Sequence, residues 1–173
     1  MASTQDNLMA AFAGESQARN MYTFFAKVAR KEGYHYIAKI FEETALNEER
    51  HAKDEFTLAG KLGDTAANLR AAISGESHET ASMYPEFAAQ AQAEGNREAA
   101  VLFRMIAKIE AEHRNRYAKL LEMIESGTVY KRDRPIRWKC SVCGYIHDGT
   151  EPPGKCPCCQ HAREYFEPEN LEL

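Results

Sequence analysis

Glutamate and histidine stand three residues apart twice in this chain: Glu48 with His51 in "NEERHAK", and Glu110 with His113 in "IEAEHRNRY". On a helix, residues i and i+3 share a face, so each pair presents a carboxylate oxygen and an imidazole nitrogen to one point. A single glutamate precedes each pair, Glu15 in "AGESQ" and Glu76 in "SGESH". Two Glu-x-x-His helices, with one further Glu from each of two others, make the ligand set of a carboxylate-bridged pair of metal ions inside a four-helix bundle. Glu48 and Glu110 would bridge the ions. Glu15 and His51 would serve one of them, Glu76 and His113 the other. Oxygen and nitrogen donors suit iron or manganese, which change oxidation state and keep open coordination positions. One Glu-x-x-His alone reads as a solvated surface pair; two copies in register, each behind Gly-Glu-Ser, do not.

The elements that must position these residues repeat as well. Gly14-Glu15-Ser16 recurs as Gly75-Glu76-Ser77, an offset of 61, whereas Met21-Tyr22 recurs as Met83-Tyr84, Phe41 as Phe103 and Glu48 as Glu110, all at an offset of 62. The two halves therefore read as copies of one helical hairpin. The second copy carries one extra residue between Ser77 and Met83. A helix absorbs a single insertion as a π-bulge, and such bulges gather at functional sites. Glu79 lies in that insertion and has no counterpart in the first copy. Glycines at 33, 60, 63, 95 and 127 punctuate the apolar periodicity, predicting four helices near 4–31, 34–59, 65–94 and 96–126. Thr4, and Asp64 or Thr65, are the expected N-caps. Tyr22 lies seven residues past Glu15 on the same face, and Tyr84 in the matching place; each hydroxyl either serves the metal pair or belongs to a core tyrosine satisfied elsewhere.

Composition changes near residue 130. All five cysteines fall between positions 140 and 159, in "CSVCGYIHDGTEPPGKCPCC". Cys140-x-x-Cys143 and Cys156-x-x-Cys159 are two turns, each offering a pair of thiolates, so four sulfurs close a tetrahedron around one metal; spacing alone leaves iron and zinc both open. Cys158 is the odd one out. A tail this short cannot bury a sufficient core by itself, so the metal forms part of its fold. The expected organisation is residues 1–127 as the helical domain, 128–137 as a linker and 138–173 as the cysteine domain. Net charge is −4, without the basic patch that nucleic acid requires, and no apolar run is long enough to span a bilayer. Clustered cysteines and an N-terminus without signal character place the expectation in the cytoplasm.

With "FAGESQARNMY", "NEERHAK", "SGESHETASMYPEF", "IEAEHRNRY" and the cysteine tail in one order along nearly the whole chain, the sequence resembles the rubrerythrins. That resemblance implies an all-α, ferritin-like four-helix bundle with a di-iron centre, followed by a small rubredoxin-like β domain with one iron on Cys140, Cys143, Cys156 and Cys159. It implies that Glu79 and His51 exchange as ligands when the site changes redox state. It further implies a peroxidase that reduces hydrogen peroxide to water in oxidative-stress defence. Electrons would return singly through the thiolate-bound iron from a rubredoxin or reductase, ultimately fed by NAD(P)H. The alternative function is a ferritin-like ferroxidase with a structural zinc tail; an attached one-electron centre argues for the peroxidase.

The connection between the hairpins carries its own constraint. In a ferritin-like bundle the second and third helices run parallel, so the chain must travel the bundle's length. Gly60 is twelve residues past Glu48 and Thr65 eleven before Glu76. That path is roughly 35 Å. Four intervening residues reach only about 14–18 Å. Either the bundle runs up-down-up-down, or the two hairpins enter different bundles. The second is the expectation: a domain-swapped homodimer in which Glu15, Glu48 and His51 of one chain meet Glu76, Glu79, Glu110 and His113 of the other.

Overall fold

A computed structural model describes residues 2–170. Met1 and residues 171–173, at the outer ends of the two expected domains, lie outside the described residues. The chain divides into two compact units between Asp64 and Thr65. The division follows the boundary between the two sequence copies, with the cysteine tail belonging to the second unit.

In the first unit, α1 (Thr4–Lys31) and α2 (His35–Leu58) form a hairpin. Ser3 caps α1, not the expected Thr4: its side chain accepts from the Asp6 N–H while Asp6 returns a bond to the Ser3 N–H, a complete capping box. The earlier residue wins because only Ser3 finds a carboxylate three places on. Gly33 stops α1 at φ 87°, and the Tyr34 N–H reaches back 2.8 Å to the Ala29 carbonyl. The two helices are antiparallel. Phe12, near the start of α1, lies 4.7 Å centroid to centroid from Phe56, near the end of α2. Gln5 also donates to the Ala59 carbonyl. Ala26 and Ala29 on α1, and Ala38, Ala45 and Ala52 on α2, are the buried positions. Small side chains along the seam let the backbones approach closely.

The second unit opens with the same hairpin in altered form. α3 (Thr65–His78) passes into a π-helical turn (Glu79–Met83) and then α4 (Tyr84–Ala93). The extra residue is absorbed there, and Glu79 opens the turn. α5 (Arg97–Glu125) returns antiparallel, with Arg70 ion-paired to Glu125 across the open end. Asn96 caps α5 by accepting from the Ala99 N–H at 3.1 Å. Copied aromatic trios pack both hairpins: Tyr22, Phe25 and Phe41 in the first, Tyr84, Phe87 and Phe103 in the second.

The tail forms a three-stranded antiparallel sheet in the order β2-β1-β3, built from β1 (Ile136–Cys140), β2 (Ile146–Gly149) and β3 (Phe166–Pro168). Alternation along β1 turns Trp138 and Cys140 inward, both fully buried, where they meet Cys156 and Phe166. The indole N–H of Trp138 donates 3.0 Å to the Gly149 carbonyl, so the ring's polar atom is satisfied inside the core.

Gly95 sits at φ 79°, and nothing lies within 4 Å of a side chain built there. Gly95→Ala therefore meets no clash, and the left-handed backbone conformation less the reduced freedom of the unfolded chain leaves a cost of roughly 0.5–1 kcal/mol. A thermal melt should show the variant less stable by that amount, with metal content unchanged.

Candidate metal centres

Each hairpin brings its three expected residues to one point. In the first, Glu15 from α1 meets Glu48 and His51 from α2, and in the second, Glu76 from α3 meets Glu110 and His113 from α5; within each trio the candidate ligand atoms lie within 4.8 Å of one another. The i, i+3 pairs are closed: His51 Nδ1 is 2.8 Å from Glu48 Oε2, and His113 Nδ1 is 2.6 Å from Glu110 Oε2. His51 Nδ1 also lies 3.9 Å from Glu15 Oε1.

The electrostatics of these trios call for a cation. Burial pushes the Glu15 carboxyl above its ordinary range, and the neighbouring Glu48 carboxylate adds to the rise against the opposing pull of His51. Burial likewise raises Glu76, reinforced by its hydrogen bond with Glu110 and by the charges of Glu110 and Glu79. Glu76 Oε2 is buried and finds no hydrogen-bond partner. Two carboxylates held this close must share a proton or a positive ion. An oxygen-nitrogen set with an unsatisfied buried oxygen fits a divalent iron as its counter-ion.

Glu79 stands outside the second trio but bears on it. It raises both Glu76 and Tyr84 through its charge. Tyr84 is raised first by burial and then by Glu79, Glu110 and Glu76, which puts its phenol in the field of all three carboxylates. Tyr22 stacks on Phe41, centroids 6.1 Å apart, in the position of the Tyr84–Phe103 pair. Glu55 is a carboxylate the motif reading missed. It lies four residues past His51 and seven past Glu48, contributes to the raised Glu15, and buries an unpartnered Oε2. Continuing the i, i+3, i+7 face beyond His51 would have found it.

In the tail, Cys140, Cys143, Cys156 and Cys159 converge within 4.8 Å. The sulfurs of Cys140 and Cys159 are 3.7 Å apart, and those of Cys143 and Cys156 3.6 Å. A tetrahedron of metal–sulfur bonds of about 2.3 Å has edges of about 3.8 Å, so the pocket already has the right dimensions. The two turns are copies at an offset of sixteen. The N–H groups of Val142 and Cys143 donate to Cys140 and that of Tyr145 to Cys143; those of Cys158 and Cys159 donate to Cys156 and that of His161 to Cys159. Burial opposes ionisation of Cys156, but the two N–H donors and the adjoining thiols hold it down to about 7. The Tyr145 N–H favours the Cys143 thiolate, yet burial and three neighbouring sulfurs push that thiol up. Four thiolates cannot coexist here without a cation, and a metal resolves the conflict. The extra thiol, Cys158, is exposed and outside the cluster.

Comparison with known proteins agrees with both centres. The rubrerythrin family model matches residues 6–121, and the model described as the rubredoxin-like domain of rubrerythrin matches residues 138–167. A rubrerythrin of Porphyromonas gingivalis is 49% identical, the alignment covering 95% of this chain and 89% of the relative. Rubrerythrins of Clostridium perfringens and Nitratidesulfovibrio vulgaris are 47% and 42% identical, each over 95% of this chain and 93% of the relative. The fold and donor sets define a two-module iron protein, ferritin-like helices carrying a Glu/His di-iron-type site and a rubredoxin-like tail carrying a four-cysteine site. The chain belongs to the rubrerythrin family. Among the described residues, no helix is long and apolar enough to cross a membrane.

The raised Glu76 favours folding of the metal-free protein below the unfolded-chain carboxyl pKa, and that contribution is lost as pH rises through the higher folded value. Glu76→Gln should therefore make the metal-free protein more stable than its parent at pH 7. The difference should shrink as pH falls into the carboxyl range, read by urea unfolding at each pH. In the tail, Gly144 and Gln160 occupy the same place in the two turns at φ 77° and 62°, and only one is glycine. Gln160→Gly should stabilise the domain by roughly 0.5–1 kcal/mol, the relief of left-handed strain less the added freedom of the unfolded chain.

Proposed function

We propose that the protein is a peroxidase that reduces hydrogen peroxide to two waters. In this reading Glu15, Glu48, His51, Glu76, Glu79, Glu110 and His113 hold two irons, and Cys140, Cys143, Cys156 and Cys159 hold a third. When bound, the iron pair supplies the two electrons that peroxide requires, and the cysteine-held iron returns them one at a time from an external rubredoxin or reductase linked to NAD(P)H. The observation that carries the proposal is the asymmetry between the hairpins. A ligand set needed only to store or oxidise iron has no use for a seventh ligand, a fifth carboxylate on a π-turn, or for a one-electron centre in the same chain.

The chain's own residues divide the remaining work. Glu48 and Glu110 set the charge balance of the pocket, each steadied by its histidine three residues on. Glu79, on a turn whose hydrogen bonding is already irregular, is free to swing away from its own trio and take the place of His51, the ligand of the other hairpin, when the oxidation state changes. Burial and the charges of Glu79, Glu110 and Glu76 raise the Tyr84 phenol, which keeps its proton at neutral pH beside those carboxylates, and Tyr22 holds the matching place in the other hairpin. Protons for the departing waters pass through Glu79 and these hydroxyls.

The assembly proposed for this chemistry is a domain-swapped homodimer. Its support is the short connection between Gly60 and Thr65, together with the apolar side chains each hairpin leaves exposed: Phe25, Ile37 and Ile40 in the first, and Phe87, Leu102 and Ile109 in the second. The proposed location is the cytoplasm, where thiolates stay reduced.

Anaerobic reduction, a metal count and addition of peroxide test the function directly. About three irons per chain and rapid reoxidation are expected. Glu79→Ala should slow peroxide turnover about 10–100-fold while leaving the helical circular dichroism signal unchanged. Parent-like turnover would remove Glu79 from the mechanism. A dilute sample that sediments as a monomer with its bundle irons intact would exclude the swap.

A further inference from the structure

Arg132 stands where the linker meets the cysteine module, and its contacts are unusually complete for a linker residue. Its backbone N–H donates 2.8 Å to the Thr150 carbonyl, and its Nη1 donates to the carbonyls of Thr128 and Lys131 at 2.8 and 2.7 Å. Its guanidinium carbon lies 5.2 Å from the centroid of the Trp138 ring. Three nearby cations are paired with carboxylates: Lys131 with Glu151, Arg137 with Glu169, and Arg163 with Glu151. Among the described residues Arg132 has no carboxylate partner, so its charge faces the indole uncompensated. That indole is fully buried, and it packs in one cluster with the fully buried Cys140 and Cys156. The cation thus sits over an aromatic ring that shares one buried cluster with Phe166 and two of the four sulfurs.

We propose that Arg132 tunes the reduction potential of the four-cysteine iron by holding a fixed positive charge over Trp138. Entry of one electron makes a ferric site on four thiolates one charge more negative. A cation nearby stabilises the reduced form over the oxidised one and so raises the potential. The low-dielectric packing between them weakens the screening that an exposed arginine would suffer. Arg132 acts through the site and not on substrate; it is a positioning residue for charge. The inference rests on iron at the four cysteines.

The test is a redox titration of the full-length, iron-loaded protein with one-electron mediators, followed by the visible absorption of the cysteine-held iron. Arg132→Gln removes the charge. Arg132→Met also removes it while keeping an apolar chain over the ring, and Arg132→Lys retains it. Both neutral variants should shift the equilibrium toward the oxidised form at least threefold, a fall of about 28 mV at 59 mV per decade. Arg132→Lys should stay close to the parent, and so should Arg134→Gln, which removes a neighbouring arginine that does not stack on Trp138. A parent-like potential in either neutral variant overturns the proposal. If neither neutral variant retains the red site, Arg132 is structural and the proposal fails. A colourless parent would instead refute iron at the cysteines, an outcome distinct from the other two.

Discussion

Like charges forced together are the constraint on which this structure depends. Each hairpin folds two glutamates to within ligand distance of one another beside a histidine, and the tail does the same with four thiols. None of these clusters is comfortable with protein groups alone. Carboxyl pKa values rise, one glutamate oxygen is buried without a partner, and neighbouring sulfurs push a thiol up while an adjacent one is held down. Folding energy from elsewhere, chiefly helix packing and a small aromatic core, holds these groups in place until a metal relieves them.

The two hairpins show how one solution can be copied and then specialised. Glycine stops, aromatic trios and buried alanines (Ala26, Ala29 and Ala38; Ala88, Ala91 and Ala100) recur, so the duplicated parts are those that fix geometry. What differs is local. A single added residue becomes a π-turn and brings Glu79 beside the second trio, while the first keeps a regular helix and adds Glu55 instead. A π-turn weakens the regular hydrogen-bond ladder at one place, and Glu79 is mounted there.

The tail applies the same economy on a smaller scale. Two turns at an offset of sixteen each aim three backbone N–H groups at a pair of sulfurs, and those donors favour the thiolate form that a metal needs. Trp138 closes the other side of the cluster, and Arg132 ties the linker to it. A module with so little core of its own gains order from that docking as well as from its metal.

Spacing alone identified Glu48–His51, Glu110–His113, the paired Cys-x-x-Cys turns, the four helices and the π-turn, because each depends on helical periodicity or on a count of residues, which the chain carries in one dimension. Thr4 was read as a cap and Ser3 serves instead, since the choice turns on whether a carboxylate three residues later can close the box. Glu55 went unread because one glutamate on a helix resembles any other until its oxygen is buried. Arg132 and Trp138, six residues apart in a segment read as a linker and the start of a domain, become partners only when β1 folds under the linker. Periodicity and ligand spacing were written in the sequence. Burial, the loss of a hydrogen-bond partner and the charge felt by a neighbour exist only in three dimensions, because each is set by which distant atoms displace water.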